Sequence, residues 1–175
     1  PKLIEYETSV FEGLGRPDWE ELVNKSVVNA QNLGHVVLRV RDADASAAWY
    51  EKVLGLKVRF RMPGRMVFLA ASEDSSHELA LMSLGPGAPP PQSNRVGLYH
   101  VGWQVSRLEE LEGIIERLKA QGVQVAGVGD HGISMGVYVF DPDGNELEIF
   151  YELPRSGWPK DGSVFAGRFP RPVAL

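Results

Sequence analysis

Internal duplication constrains this chain more than any other feature. Residues 33–84 and 98–152 carry one plan twice: a strand, a helix, then three strands. The first copy opens on the alternating run LGHVVLRV, continues into DADASAAWYEKVLGL, and follows with KVRFRM, RMVFLAA and HELALMSL. Asp44 or Ser46 is available to cap its helix, Ala48, Tyr50, Val53 and Leu54 form its apolar stripe, and Gly55 ends it. The second copy opens on LYHVGWQV and continues into SRLEELEGIIERLKAQGV, with Leu108, Leu111, Ile115 and Leu118 on one face. Strands near 123–128, 136–140 and 146–151 complete it. The expected fold class is therefore α+β, built from two βαβββ modules.

Residues 85–97, rich in proline and glycine, separate the copies as an extended linker. Residues 1–32 form an N-terminal extension with a helix expected from Pro17-Asp18, and residues 153–175 an extended, proline-broken tail. Both ends are expected to wrap the core or a neighbouring subunit, with Trp158, Phe165 and Phe169 gaining from burial.

Superposing the copies brings His35 and His100 to the same place, the third residue of LGH and of LYH. Alternation puts both on the more polar face of their opening strands. A pseudo-twofold axis relating those strands would aim the two imidazoles at a common point. Aligning HELALM with NELEIF then sets Ala80 of the first copy where Glu148 stands in the second. The turn residues Asp141-Pro142-Asp143-Gly144-Asn145 make GVYVF and ELEIF a hairpin with Tyr138 opposite Glu148 and Phe140 opposite Glu146.

Two neutral imidazoles and one carboxylate on one face of a metal leave other coordination positions open. Non-haem Fe(II) enzymes that bind substrate and dioxygen together use this set, and Mn(II), Zn(II) or Ni(II) would accept the same donors. The absence of cysteine excludes disulfides, thiolate metal sites and a cysteine nucleophile, and fits a reducing compartment. A formal charge of −5 without a dense basic patch argues against nucleic acid and anionic membranes as partners. With no signal pattern and no membrane-length apolar run, the expected location is the cytoplasm.

Over residues 33–152 the sequence resembles the vicinal oxygen chelate superfamily, and within it the type I extradiol catechol dioxygenases. That resemblance implies a half-open barrel closed around a metal, and a single-domain member. It implies His35, His100 and Glu148 as ligands to Fe(II), with Mn(II) as an alternative. It also implies catalytic roles for His77, entering the last strand of the first module, and for His131 and Tyr138 ahead of the glutamate; all four histidines are thereby used. The resemblance places His77 near dioxygen and His131 with Tyr138 near the diol. Simple alternation would turn His77 away from Ala80's face unless it precedes the strand.

The implied enzyme is a catechol 2,3-dioxygenase-like oxidoreductase of aromatic degradation. It takes a small catechol and O2, inserts both oxygen atoms and yields a hydroxymuconic semialdehyde-type product. Exposed strand edges and long tails favour a homo-oligomer. Two alternatives are a metal-free drug-binding protein of the bleomycin-resistance type and a glyoxalase-like metal-dependent isomerase. The isomerase would call for a carboxylate where Ala80 stands.

Overall fold

In the computed structural model the described residues are 30, 32–165 and the backbone of 171–172. The chain divides into Pro1–Leu33 and Gly34–Leu175, and every element below belongs to the second unit. The helix expected at Pro17-Asp18, and Phe169, lie outside the described residues.

The first module runs β1 (Val36–Val40), α1 (Ala43–Leu54), β2 (Lys57–Met62), β3 (Met66–Ala70) and β4 (Leu79–Ser83). The second runs β5 (His100–Gln104), α2 (Leu108–Ala120), β6 (Val125–Asp130), β7 (Ser134–Phe140) and β8 (Glu146–Glu152). Each module forms its own sheet, and the strand orders match, β1-β4-β3-β2 and β5-β8-β7-β6. In both, the opening strand lies parallel to the last one. The registers also agree: Val37 faces Ala80 as Gly102 faces Glu148, the equivalence reached by aligning the two halves. A short strand β9 (Arg171–Pro172) adds antiparallel to the free edge of β6.

The helices are set by their caps and stripes. The cap of α1 is Asp42, whose carboxylate accepts from the backbone of Asp44 and Ala45, and not the expected Asp44 or Ser46. Gly55 closes this helix in the left-handed region at φ 74°. The buried face of α1 is Ala43, Ser46, Ala47, Tyr50 and Val53, so Ala47 occupies the stripe where Ala48 was expected. In α2 the buried residues are Leu111, Ile114 and Leu118, while Leu108 is 43% exposed. One core joins the modules: Leu38, Tyr50, Leu69 and Leu81 of the first are continuous with Leu118, Val137, Leu147 and Ile149 of the second.

The β7–β8 turn does more than reverse the chain. Asp141 and Asp143 are buried. Asp141 caps its own loop by accepting from the backbone of Asp143 and Asn145, and Gly144 takes the positive φ of 91° that the turn requires. The other oxygen of Asp141 accepts from the Tyr50 hydroxyl at 2.9 Å. Asp143 accepts from the Arg41 guanidinium at 2.8 Å and from the Ser46 hydroxyl at 3.2 Å. The turn of one module is thus locked onto the helix of the other. In the tail, Trp158 donates its ring N–H to the Leu153 carbonyl under the Arg155 guanidinium, whereas Phe165 remains exposed. No helix among the described residues is long and apolar enough to cross a membrane.

Candidate functional site

Alternation sends the apolar residues of each sheet toward the helices and leaves an open face on the other side. On the second sheet that face carries His100, Gly102, Glu148, Tyr138 and Gly136, adjacent by register. The hairpin pairs Tyr138 with Glu148 and Phe140 with Glu146, as the symmetric turn predicts.

Glu148 is the centre of this group. Its side chain is 13% exposed and lies flat across Gly136, where a Cβ would collide with Oε1 and approach Cγ at 2.9 Å. Tyr138 donates its hydroxyl to Oε1 at 2.9 Å. Burial first, then this bond and the negative charges of Glu148 and Glu146, push the phenol well above its ordinary pKa. It therefore stays protonated and acts as a donor. His131 Nε2 lies 2.9 Å from the same hydroxyl and 3.5 Å from Glu148 Oε1. With the single phenol proton given to the carboxylate, His131 meets the phenol oxygen through Nε2–H. A tight β6–β7 connection sets His131 there: its backbone N–H donates to Ser134, and Gly132 sits at φ 91° with its N–H on Asp130.

His100 approaches from the neighbouring strand. Its Nε2 is 3.4 Å from Glu148 Oε2, the oxygen turned away from the phenol, and its Nδ1 is 3.7 Å from Glu146 Oε1. That Nδ1 is buried without a hydrogen-bond partner. Two donors on one ion held at about 2.0–2.2 Å stand roughly 3 Å apart, so His100 Nε2 and Glu148 Oε2 fit as a pair of metal ligands. Glu146 beside Nδ1 gives the ring the carboxylate neighbour that a metal-binding imidazole uses for orientation.

The other two histidines gather on the first sheet. His77 precedes β4, which begins only at Leu79, and so escapes the alternation that would have turned it away. Its ring lies 4.6 Å from that of His35 and 5.2 Å, edge to face, from Phe68, which pairs with Ala80. The Ser76 hydroxyl is 3.1 Å from its Nδ1. His35 stands exposed, one residue before β1. The six residues singled out in the sequence thus fall into two groups, His100, Glu148, Tyr138 and His131 on one sheet and His35 with His77 on the other. Among the described residues no hydrogen bond or ion pair joins the groups, and no three His, Asp or Glu side chains gather closely enough to hold a metal ion.

Sequence reasoning missed Gly136, whose lack of a Cβ makes the bed for Glu148, and the buried Nδ1 of His100 with Glu146 beside it. Trp103 and Met135 pack against the core, and Trp49 packs edge-on against Tyr50.

A family model described as the Glyoxalase/Bleomycin resistance protein/Dioxygenase superfamily matches residues 32–149. Catechol-2,3-dioxygenase of Bacillus subtilis is 31% identical over 137 residues, covering 78% of this chain and 47% of its own length. Biphenyl-2,3-diol 1,2-dioxygenase 3 of Rhodococcus globerulus is 33% identical over 118 residues, covering 67% of this chain and 61% of its own. The chain thus spans about half the length of these curated relatives. Among solved structures, a glyoxylase/bleomycin resistance protein/dioxygenase domain from Frankia sp. EAN1pec superposes with a TM-score of 0.61 at 24% identity, covering 71% of this chain and 99% of that one.

Proposed function

The chain belongs to the glyoxalase/bleomycin resistance/dioxygenase superfamily, and we propose that it acts as an extradiol dioxygenase that opens the ring of a catechol with both atoms of O2. The observation that carries this reading is the Glu148–Tyr138–His131 chain lying beside His100, a ligand pair with a proton path attached. The dioxygenase relatives at about the same identity over the same residues support it.

Fe(II), or Mn(II) in its place, would supply open coordination positions where a diol and O2 exchange electron density. His100 Nε2 and Glu148 Oε2 would hold it; His35, the third ligand that the family resemblance implies, lies beside His77 on the other sheet. Glu146 Oε1 lies 3.7 Å from His100 Nδ1, a carboxylate neighbour to the ring without a hydrogen bond to it. Tyr138 offers a hydroxyl hydrogen to a diol oxygen on this face, and its raised pKa keeps that hydrogen in place. A shift of the His131 proton to Nδ1 frees Nε2 to take the phenol proton while Tyr138 takes one from the diol, so that no free phenolate forms. An imidazole changes charge near neutral pH, which suits that task. His77 would act toward dioxygen. The isomerase alternative finds Ala80, fully buried, where its second carboxylate would stand.

The test is anaerobic loading with Fe(II), then a panel of catechols in air. A yellow ring-fission product, with one O2 consumed per catechol and both signals lost in Glu148→Ala, is the expected result. A wild-type protein that binds neither Fe(II) nor Mn(II) would overturn the reading in favour of a metal-free binding protein.

A further inference from the structure

We propose that Phe165 of the C-terminal tail selects the substrate, forming an apolar wall beside His131 that favours catechols with an uncharged alkyl substituent over the unsubstituted ring. The inference rests on the catechol reading above and names the residue that discriminates among catechols.

Three observations lead to it. First, the tail is tied to the connection that carries His131. The Leu153 N–H donates to the Ile133 carbonyl, the Trp158 ring N–H donates to the Leu153 carbonyl, and Arg171–Pro172 pair with Gly129 and Asp130 of β6. Second, Phe165, which belongs to neither module, stands edge to face with the His131 ring, 6.3 Å between centroids. His131 Nε2 is in turn 2.9 Å from the Tyr138 hydroxyl, so two short steps separate Phe165 from the group that would meet the diol. Third, Phe165 is 60% exposed, so the contact with His131 leaves most of its surface uncovered. The backbone leading to it is set by turns: Val164 N–H donates to the Gly162 carbonyl, and Ser163 N–H to the Asp161 carboxylate.

A single exposed aromatic ring is ordinary on a protein surface, and its place is what gives this one a use. The opposite flank of the same face is already apolar: Phe150 lies across Gly102, where an added Cβ would stand 3.1 Å from the Phe150 Cε1. Between Phe150 on the β5 side and Phe165 on the β6 side lie His100, Glu148 and Tyr138. A diol held there by its two oxygens leaves the far edge of its ring without a polar partner. An alkyl group on that edge leaves water by lying against Phe165. Phe150 is fixed in β8, whereas Phe165 comes from the tail, so selectivity can change there without disturbing the ligands or the proton path.

The experiment loads the protein with Zn(II), which accepts the same donors without redox chemistry, and titrates catechol, 3-propylcatechol and 4-propylcatechol calorimetrically into the wild type, Phe165→Ala and Phe165→Leu. Phe165 lies outside the core, so both variants fold; circular dichroism verifies this. The wild type should bind one of the propylcatechols about tenfold more tightly than catechol, the scale for added methylenes in an apolar site. Phe165→Ala should abolish most of that preference, and Phe165→Leu, which restores an apolar contact, should keep most of it. In the Fe(II) enzyme the ratio of kcat/KM values for the same pair should move in step. A wild type without the preference, a preference unchanged in Phe165→Ala, or equal weakening of all three catechols overturns the selecting role of Phe165 while leaving a dioxygenase standing. A wild type that takes up Zn(II) but binds none of the three overturns the catechol reading itself, and this proposal with it.

Discussion

Glu148 is held as much by an absent side chain as by its hydrogen bonds. The Gly136→Ala change would push a methyl into Oε1 and turn the carboxylate off the sheet, breaking the 2.9 Å bond from Tyr138. The expected result is a loss of about 10–100-fold in Mn(II) affinity, the range for disturbing a ligand's support, read by calorimetry. Wild-type affinity in that variant would show that the carboxylate is not so constrained. Tyr138→Phe separates positioning from ligation: every ligating atom remains and Gly136 still beds the carboxylate, so metal affinity should fall less than in Gly136→Ala while kcat/KM falls about 10²-fold or more, the scale of one lost proton-transfer partner. Tyr138 facing Glu148 was legible in the sequence, because a turn of known length fixes which residues stand opposite. The role of Gly136 was not, since it depends on the rotamer of a residue on the next strand. His77 was legible only as a choice, which the start of β4 at Leu79 decides.

At the scale of elements, the strands and helices were readable from alternation and from the 3.6-residue stripe, but the contacts of α1 were not. Ser46 reads as a cap and in fact reaches across to Asp143, and the cap is Asp42. Both are polar residues near a helix start, and only the position of the other module distinguishes their uses. Tyr50 shows what this docking does to chemistry. Burial, then the Asp141 carboxylate, raises its phenol pKa far above the ordinary 10. In the unfolded chain it ionises near that ordinary value, so its contribution to stability is complete below about pH 10 and is lost as pH rises beyond it. Tyr50→Phe should cost about 1 kcal/mol at pH 7 by removing a hydrogen bond, and should flatten the fall in stability between about pH 10 and 11, measured by urea melts. Tyr138, shifted in the same direction, leaves a residual slope. An unchanged alkaline limb in the variant would remove Tyr50 from the account.

For the whole molecule, the duplication told the architecture but not the way the halves meet. Two modules of like design could fold as beads joined by a linker, each unfolding alone. The structure argues for one cooperative unit, because Tyr50 and Ala47 of the first module are fully buried within a core that continues into Leu118, Val137 and Leu147 of the second. The buried turn binds them: Asp143 alone accepts from Arg41 backbone, Arg41 side chain and Ser46. Asp143→Ala strands those donors and should cost about 3 kcal/mol, the scale for breaking one partner of a buried charged network. If the modules are one unit, that loss is felt equally on both sides of the linker. Hydrogen exchange should then show the same drop in protection for amides of Leu79 and Leu81 in β4 as for Leu147 and Ile149 in β8, although Asp143 belongs to the second module's hairpin. A drop confined to β7 and β8 would mean that the modules open separately, and that the buried turn docks them without making them one cooperative unit.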